Sequence, residues 1–183
     1  MKKKTRGIEK YQRYNATQRV RFLCDNYLVM EPMISNYREE LIDEVMEQKA
    51  SNHRGEDEGL GVRIQVAFYK KSDPTANKAM SRMEIANAID AGYLDEDFFE
   101  GTDDREELIR KVTCYHMINA GYMRFVAKLE EMNPRERKIF LPYIRKEKSV
   151  DDLAEELDIA YESVIRKIGR IKEKIKEGKE FTA

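Results

Sequence analysis

The sequence predicts an all-α protein, an N-terminal helical domain with long helices followed by a C-terminal module of shorter ones. Three observations carry this. Apolar residues recur at spacings of three and four along most of the chain, the period that places them on one face of a helix. Only 9 glycines and 4 prolines interrupt 183 residues, fewer breaks than a many-stranded sheet protein needs. Charged residues make up 38 % of the chain and apolar residues 41 %, a mixture that suits thin cores between helices.

Residues 1–15 are basic, with Tyr11 and Tyr14 interleaved; they read as a flexible arm against a polyanion or, equally, as a solubilising tail. From Thr17 to Lys49 runs a long helical pattern in which Val20, Leu23, Tyr27, Met30, Ile34, Tyr37 and Leu41 form a heptad-like seam. Thr17 is expected to cap it, and Pro32 to kink or break it after Met30. Two readings of the seam stay open: a homodimer interface through residues 20–41, or a helix packed on its own domain. Residues 50–62 (ASNHRGEDEGLGV) read as a polar, glycine-rich loop. Gly59 and Gly61 make no phosphate cradle there, because Glu56, Asp57 and Glu58 would repel an anion.

Arg63–Tyr69 is a short run that fits strand or helix. Asp73 with Pro74 starts a helix through Ala79, Met83, Ala86 and Ile89 that stops near Gly92. An acidic turn follows, with Phe98 and Phe99 as packing anchors. Asp103 or Asp104 opens the next helix, whose inner face holds Leu108, Val112, Tyr115, Tyr122, Val126 and Leu129. Asn119 and Gly121 interrupt that stripe and mark a bend or a close helix crossing. The domain expected over residues 16–132 ends there.

The C-terminal module, residues 133–179, carries the functional signal. Asn133 can cap a helix whose first residue is Pro134, with Glu136 at the capping-box position. Ile139, Phe140 and Tyr143 supply its apolar stripe. After the polar break Arg145–Lys148, Ser149 can cap a second helix with Asp151 and Asp152 in its first turn, where the helix dipole favours acids. Leu153 and Leu157 share one face, small Ala154 admits a neighbour, and Ile159 plugs the turn. Val164, Ile168, Ile171 and Ile175 then give a third helix its buried side. This is the spacing of a helix-turn-helix, which presents its last helix to the major groove of DNA.

The net charge of the chain is −1, so attraction to a polyanion must come from local asymmetry. The first 21 residues hold eight Lys or Arg against Glu9, and Glu84 to Glu107 holds ten acids against Arg105. Ala160 to Lys179 holds seven Lys or Arg against three Glu. On the third helix, Tyr161, Glu162, Ser163, Arg166 and Lys167 are expected to face bases. Glu162 would accept from a cytosine amino group and Arg166 donate to guanine. Arg170, Lys172 and Lys174 are expected on phosphates, with Arg145, Lys146 and Lys148 as additional contacts. The bland alternative is a solvated helix face held by i,i+4 pairs.

The line SVDDLAEELDIAYESVIRKIGRIKEKI, preceded by NPRERKIFLPYI, resembles region 4 of bacterial sigma factors. That family's frequent Ser/Thr cap before the recognition helix is Ala160 here, and its frequent turn glycine is Asp158, a residue that tolerates the left-handed conformation better than most. No Trp occurs in the chain, and the aromatics are too scattered for the strand-opening region of a complete sigma factor. With the segment KKSDPTANKAMSRM, the layout is similar to ArpU/RinA-like phage regulators of late transcription. The resemblance implies a sequence-specific regulator of phage or prophage promoters that binds double-stranded DNA and acts beside RNA polymerase. Three rivals remain: a small-terminase-like phage DNA-packaging component, a sigma-factor-like protein, and an adaptor whose basic helix meets protein.

No enzyme chemistry emerges. His53 and His116 lack metal-ligand spacing to Cys, His or carboxylate, and no catalytic or cofactor-binding residue is assigned. Cys24 and Cys114 read as buried reduced thiols. No stretch approaches the ~18 apolar residues of a membrane span, and the lysine-rich start lacks the apolar region of a signal peptide. The expected location is cytoplasmic.

Overall fold

The computed structural model describes residues 2–57, 74–92, 94, 96–99 and 102–177. Every regular element among them is helical, as the periodicity predicts. In order these are α1 (Lys2–Tyr11), α2 (Ala16–Asn26), a 3₁₀ turn (Tyr27–Val29), α3 (Met30–Asp57), α4 (Pro74–Ala91), α5 (Glu96–Phe99), α6 (Arg105–Glu130), α7 (Pro134–Ile144), α8 (Val150–Leu157) and α9 (Tyr161–Lys176). None of the described helices is long and apolar enough to cross a membrane.

Contacts gather the chain into two units, one of Met1–Ser35 with Met117–Ala183 and one of Asn36–His116. The linear divisions at 15/16 and 132/133 do not coincide with that grouping. The first unit joins both ends of the sequence: α2 packs on α9, beside α7 and α8. The expected arm is a helix in its lower part, because Ile8 and Tyr11 are buried in it. Tyr11, Tyr14 and Phe22 stack in a tilted cluster with centroids 5.7–6.4 Å apart. Gly121 on α6 explains the close crossing read from the sequence. It is buried, and a Cβ there would collide with the Tyr11 hydroxyl.

The long helix expected from Thr17 to Lys49 is broken earlier than Pro32. Asn15, not Thr17, caps α2, accepting from the Gln18 N–H at 2.9 Å while Gln18 Oε1 accepts from Asn15 N–H at 3.0 Å. The 3₁₀ turn at Tyr27–Val29 then redirects the chain, and Pro32 sits in the first turn of α3. There its missing N–H removes no intrahelical bond. The seam residues Val20, Leu23, Met30, Ile34, Tyr37 and Leu41 are buried within this single chain, and Tyr27 tilts against Phe125 at 6.1 Å. They are therefore covered without a second copy.

The second unit is held by ion pairs around an apolar core of Leu41, Ile42, Val45, Ile85, Ile89, Leu108 and Val112. Arg38 reaches both oxygens of Asp90, at 2.7 and 2.6 Å, and that fork holds the Asp90 carboxyl below the usual carboxylate range. Arg82 bridges Asp43 and Glu39 at 2.5 and 2.6 Å. The expected loop at 50–62 is helical up to Asp57, and its remainder lies outside the described residues, as does the Arg63–Tyr69 run. His53 falls within α3. His116 is half-buried on α6 with Nε2 2.7 Å from the Ile89 carbonyl, at the end of α4, where Gly92 turns left-handed (φ +67°). Among the described residues no group of three or more His, Cys, Asp or Glu is placed to hold a metal ion.

Candidate nucleic-acid interface

Helices α7 and α8 are each fixed by their own end groups. Asn133 accepts from the Glu136 N–H at 2.9 Å, and its amide donates to the Glu136 carboxylate at 2.6 Å, so the cap closes through side chains. Ser149 and Asp152 make a full capping box: Ser149 Oγ accepts from Asp152 N–H at 3.1 Å, and Asp152 Oδ2 accepts from Ser149 N–H at 2.8 Å. The Ser149 N–H and then its hydroxyl hold the Asp152 carboxyl below its ordinary value.

The ends of α7 and α8 share one device. Lys146 (φ 57°) and Asp158 (φ 51°) are left-handed. Glu147 N–H reaches the Pro142 carbonyl at 2.9 Å and Lys146 N–H that of Tyr143 at 3.1 Å; Ile159 N–H reaches Ala154 at 3.1 Å and Asp158 N–H Glu155 at 3.2 Å. This paired pattern is the Schellman closure, usually built with glycine. Asp158 fills the role expected of it, whereas a left-handed Lys146 carried no sequence signal. Ala160 precedes α9 with no side-chain cap.

Leu153, Val164, Ile168, Ile171 and Ile175 are buried, and Leu157 and Ile159 half-buried, so α9 shows one face to its neighbours and the other to solvent. Burial separates the residues expected to touch DNA. Tyr161, Glu162, Arg166, Lys167, Arg170 and Lys174 are exposed, while Ser163 and Lys172 are half-buried. Glu162, Arg166, Arg170 and Lys174 follow at intervals of four and form one row along the helix. Arg166 Nε reaches back to the Glu162 carbonyl at 3.3 Å.

Lys172 stands apart from the exposed cations. Its ammonium lies 5.1 Å from the centroid of the Tyr143 ring on α7. It lies about 140° around the helix from Lys167. Toward the same edge, Cys24 of α2 is buried, and that burial pushes its thiol up to about 12, a rise that the Lys172 charge only partly opposes.

A groove of about 330 Å³ runs between α7 and α9, lined by Arg135, Glu136, Ile139, Lys167, Arg170, Ile171 and Lys174. Sequence reasoning missed Arg135, because only the packing of α7 on α9 brings it beside the third helix. Glu136 is the one acid in the groove and ion-pairs with Lys174. The other flank differs: a hollow of about 450 Å³ is lined by Asp151, Ala154, Glu155, Asp158, Ile159 and Ala160, with no cation. Of the additional basic residues, Arg145 pairs with Glu147 at 3.8 Å and Lys148 with Glu156. The groove beside α7 is thus lined by four cations and one acid, and the hollow beside α8 by three acids and no cation.

Comparison with protein-family models, with curated proteins and with solved structures returns no match.

Proposed function

We propose that residues 133–177 form a sigma-region-4-like helix-turn-helix that binds double-stranded DNA, and that the protein is a sequence-specific transcription regulator of the phage type. The observation that carries this reading is the groove in which Arg135, Lys167, Arg170 and Lys174 converge from two helices beside the exposed Arg166. Four cations along one groove suit a line of phosphates, whereas the acidic flank at α8 repels one. The duplex therefore approaches α9 from its α7 side. Tyr161, Glu162 and Arg166, in the first two turns, meet base edges; Lys167, Arg170, Lys174 and Arg135 meet the backbone. Lys172, drawn onto Tyr143, has no part in holding the duplex.

This reading gives the protein a cytoplasmic place beside DNA and assigns it no catalysis. RNA polymerase as a partner follows from the resemblance of the 133–177 segment alone. The packaging alternative needs a seam free to build a ring, and the residues that would form it are covered by their own chain.

Gel-shift titration of four alanine variants tests the proposal. Arg166→Ala should erase preference among duplexes, while Lys167→Ala should weaken all of them alike. Arg170→Ala with Lys174→Ala should weaken all duplexes alike and flatten the log–log salt slope by about 0.9 for each phosphate no longer neutralised. Unchanged binding in all four would remove α9 as the reader.

A further inference from the structure

Gly169 occupies the middle of α9, where glycine is the least favoured residue apart from proline. Glycines inside helices usually answer to packing, as Gly121 does against Tyr11. Gly169 does not. A Cβ built there meets no heavy atom of the described residues within 4 Å, its φ is not in the left-handed region, and the residue is exposed. Nothing among the described residues requires a missing side chain at this position.

The same row of the helix, at intervals of four, carries Tyr161 and Ile165, which are 44 % and 46 % exposed, and beyond Gly169 the exposed Glu173, paired with Lys176. Both are large apolar groups left in water beside the cationic row Arg166, Arg170 and Lys174. A bare apolar row next to a charged one, ending in a gap where a side chain would stand, matches the profile of a duplex major groove. There the C5-methyl of thymine is the apolar feature on the base edges, and the groove wall comes close to the helix backbone.

Building on the DNA-binding reading above, we propose that Tyr161, Ile165 and Gly169 form a second base-reading strip. In it Ile165 packs on a thymine methyl group, and Gly169 lets the helix backbone approach the duplex more closely than any side chain allows. The occupant is DNA rather than a protein because the adjoining row is cationic and the apolar strip is one residue wide, too narrow to seat a helix. The strip thus makes thymine, and not only guanine and cytosine, part of the recognised sequence.

The test uses duplexes recovered from a randomised pool by the full-length protein, each then synthesised with thymine or with uracil, which differs only by the methyl group. The wild-type protein should bind the uracil form about fourfold more weakly for one methyl group, from the transfer energy of a single carbon. Ile165→Ala should bind both forms equally. Gly169→Ala should melt about 2–4 °C higher than wild type, since alanine is the better helix former, yet bind the recovered duplex at least about fivefold more weakly through overpacking. Equal binding of thymine and uracil duplexes by the wild type, or wild-type affinity in Gly169→Ala, would overturn the strip while Arg166→Ala still reports on the cationic row. Recovery of no enriched duplex would overturn both readings together.

Discussion

Glu136 is the sharpest place to test the cationic groove, because replacing it should move stability and binding in opposite directions. The substitution is Glu136→Gln, nearly isosteric, which keeps the backbone N–H that Asn133 accepts from and a side chain able to bond the Asn133 amide. Two interactions are lost. The first turn of α7 loses a carboxylate that the helix dipole favours, worth about 0.3–1 kcal/mol. The ion pair to Lys174 disappears; the lysine side chain is 62 % exposed, so this pair contributes about 0–1 kcal/mol. The melting temperature should therefore fall by about 2–4 °C. Binding should gain: a negative charge about 7 Å from a phosphate repels it by about 0.6 kcal/mol even at the dielectric constant of water, which is roughly a threefold change in affinity. Lys174, relieved of that pair, holds its phosphate without competition, so the gain in affinity should shrink as salt rises and screens it. Fluorescence anisotropy with one duplex between about 50 and 200 mM salt, alongside a thermal melt, measures both. A variant that melts lower but binds with unchanged affinity and slope would show that phosphates do not run along the α7–α9 groove.

Other consequences follow from single features. Ser149→Ala removes the capping box of α8 and should destabilise by about 1 kcal/mol, read by chemical denaturation. Because Asp152 is held below its ordinary value, its share of that stability is present above the usual carboxylate range and lost as pH falls through the depressed value. The variant should therefore be less sensitive to acid than wild type. Gly121→Ala forces a methyl into the Tyr11 hydroxyl, and with Tyr11 only 1 % exposed the ring has little room to retreat. A loss of about 1–3 kcal/mol is expected, partly restored by Tyr11→Phe in the same chain. Cys24, pushed to about 12 by burial, should resist a thiol reagent at mildly alkaline pH until the protein unfolds. Labelling at the rate of an exposed cysteine would contradict the packing of α2.

The 133–177 segment is largely legible in the sequence because its signals are local. Asn133–Pro134, Ser149–Asp152 and Asp158 each act within four residues, so chemistry and position are read together. The apolar period of α9 likewise names its buried face. What escapes is set over long range. Nothing near Lys172 announces that Tyr143 will draw its ammonium inward, and nothing near Arg135 places it beside Lys167. Residues 50–57 read as a loop because Asn, Ser and Gly have low helix propensity, yet they continue α3 as helix. Pro32 reads as the break that in fact belongs to Tyr27–Val29, since a proline in the first turn of a helix does not interrupt it. The resemblance to phage regulators rests on the same local signals and reaches little further into residues 36–116.

The contact between α2 and α9 also imposes an order in time. On the ribosome, residues 16–26 emerge more than a hundred residues before 161–176. At about 5–20 residues per second, that leaves an apolar flank uncovered for on the order of ten seconds. A nascent chain stalled before α9 would present Val20, Leu23 and Cys24 to chaperones, and a fragment begun at residue 133 would lack the wall on which its last helix leans.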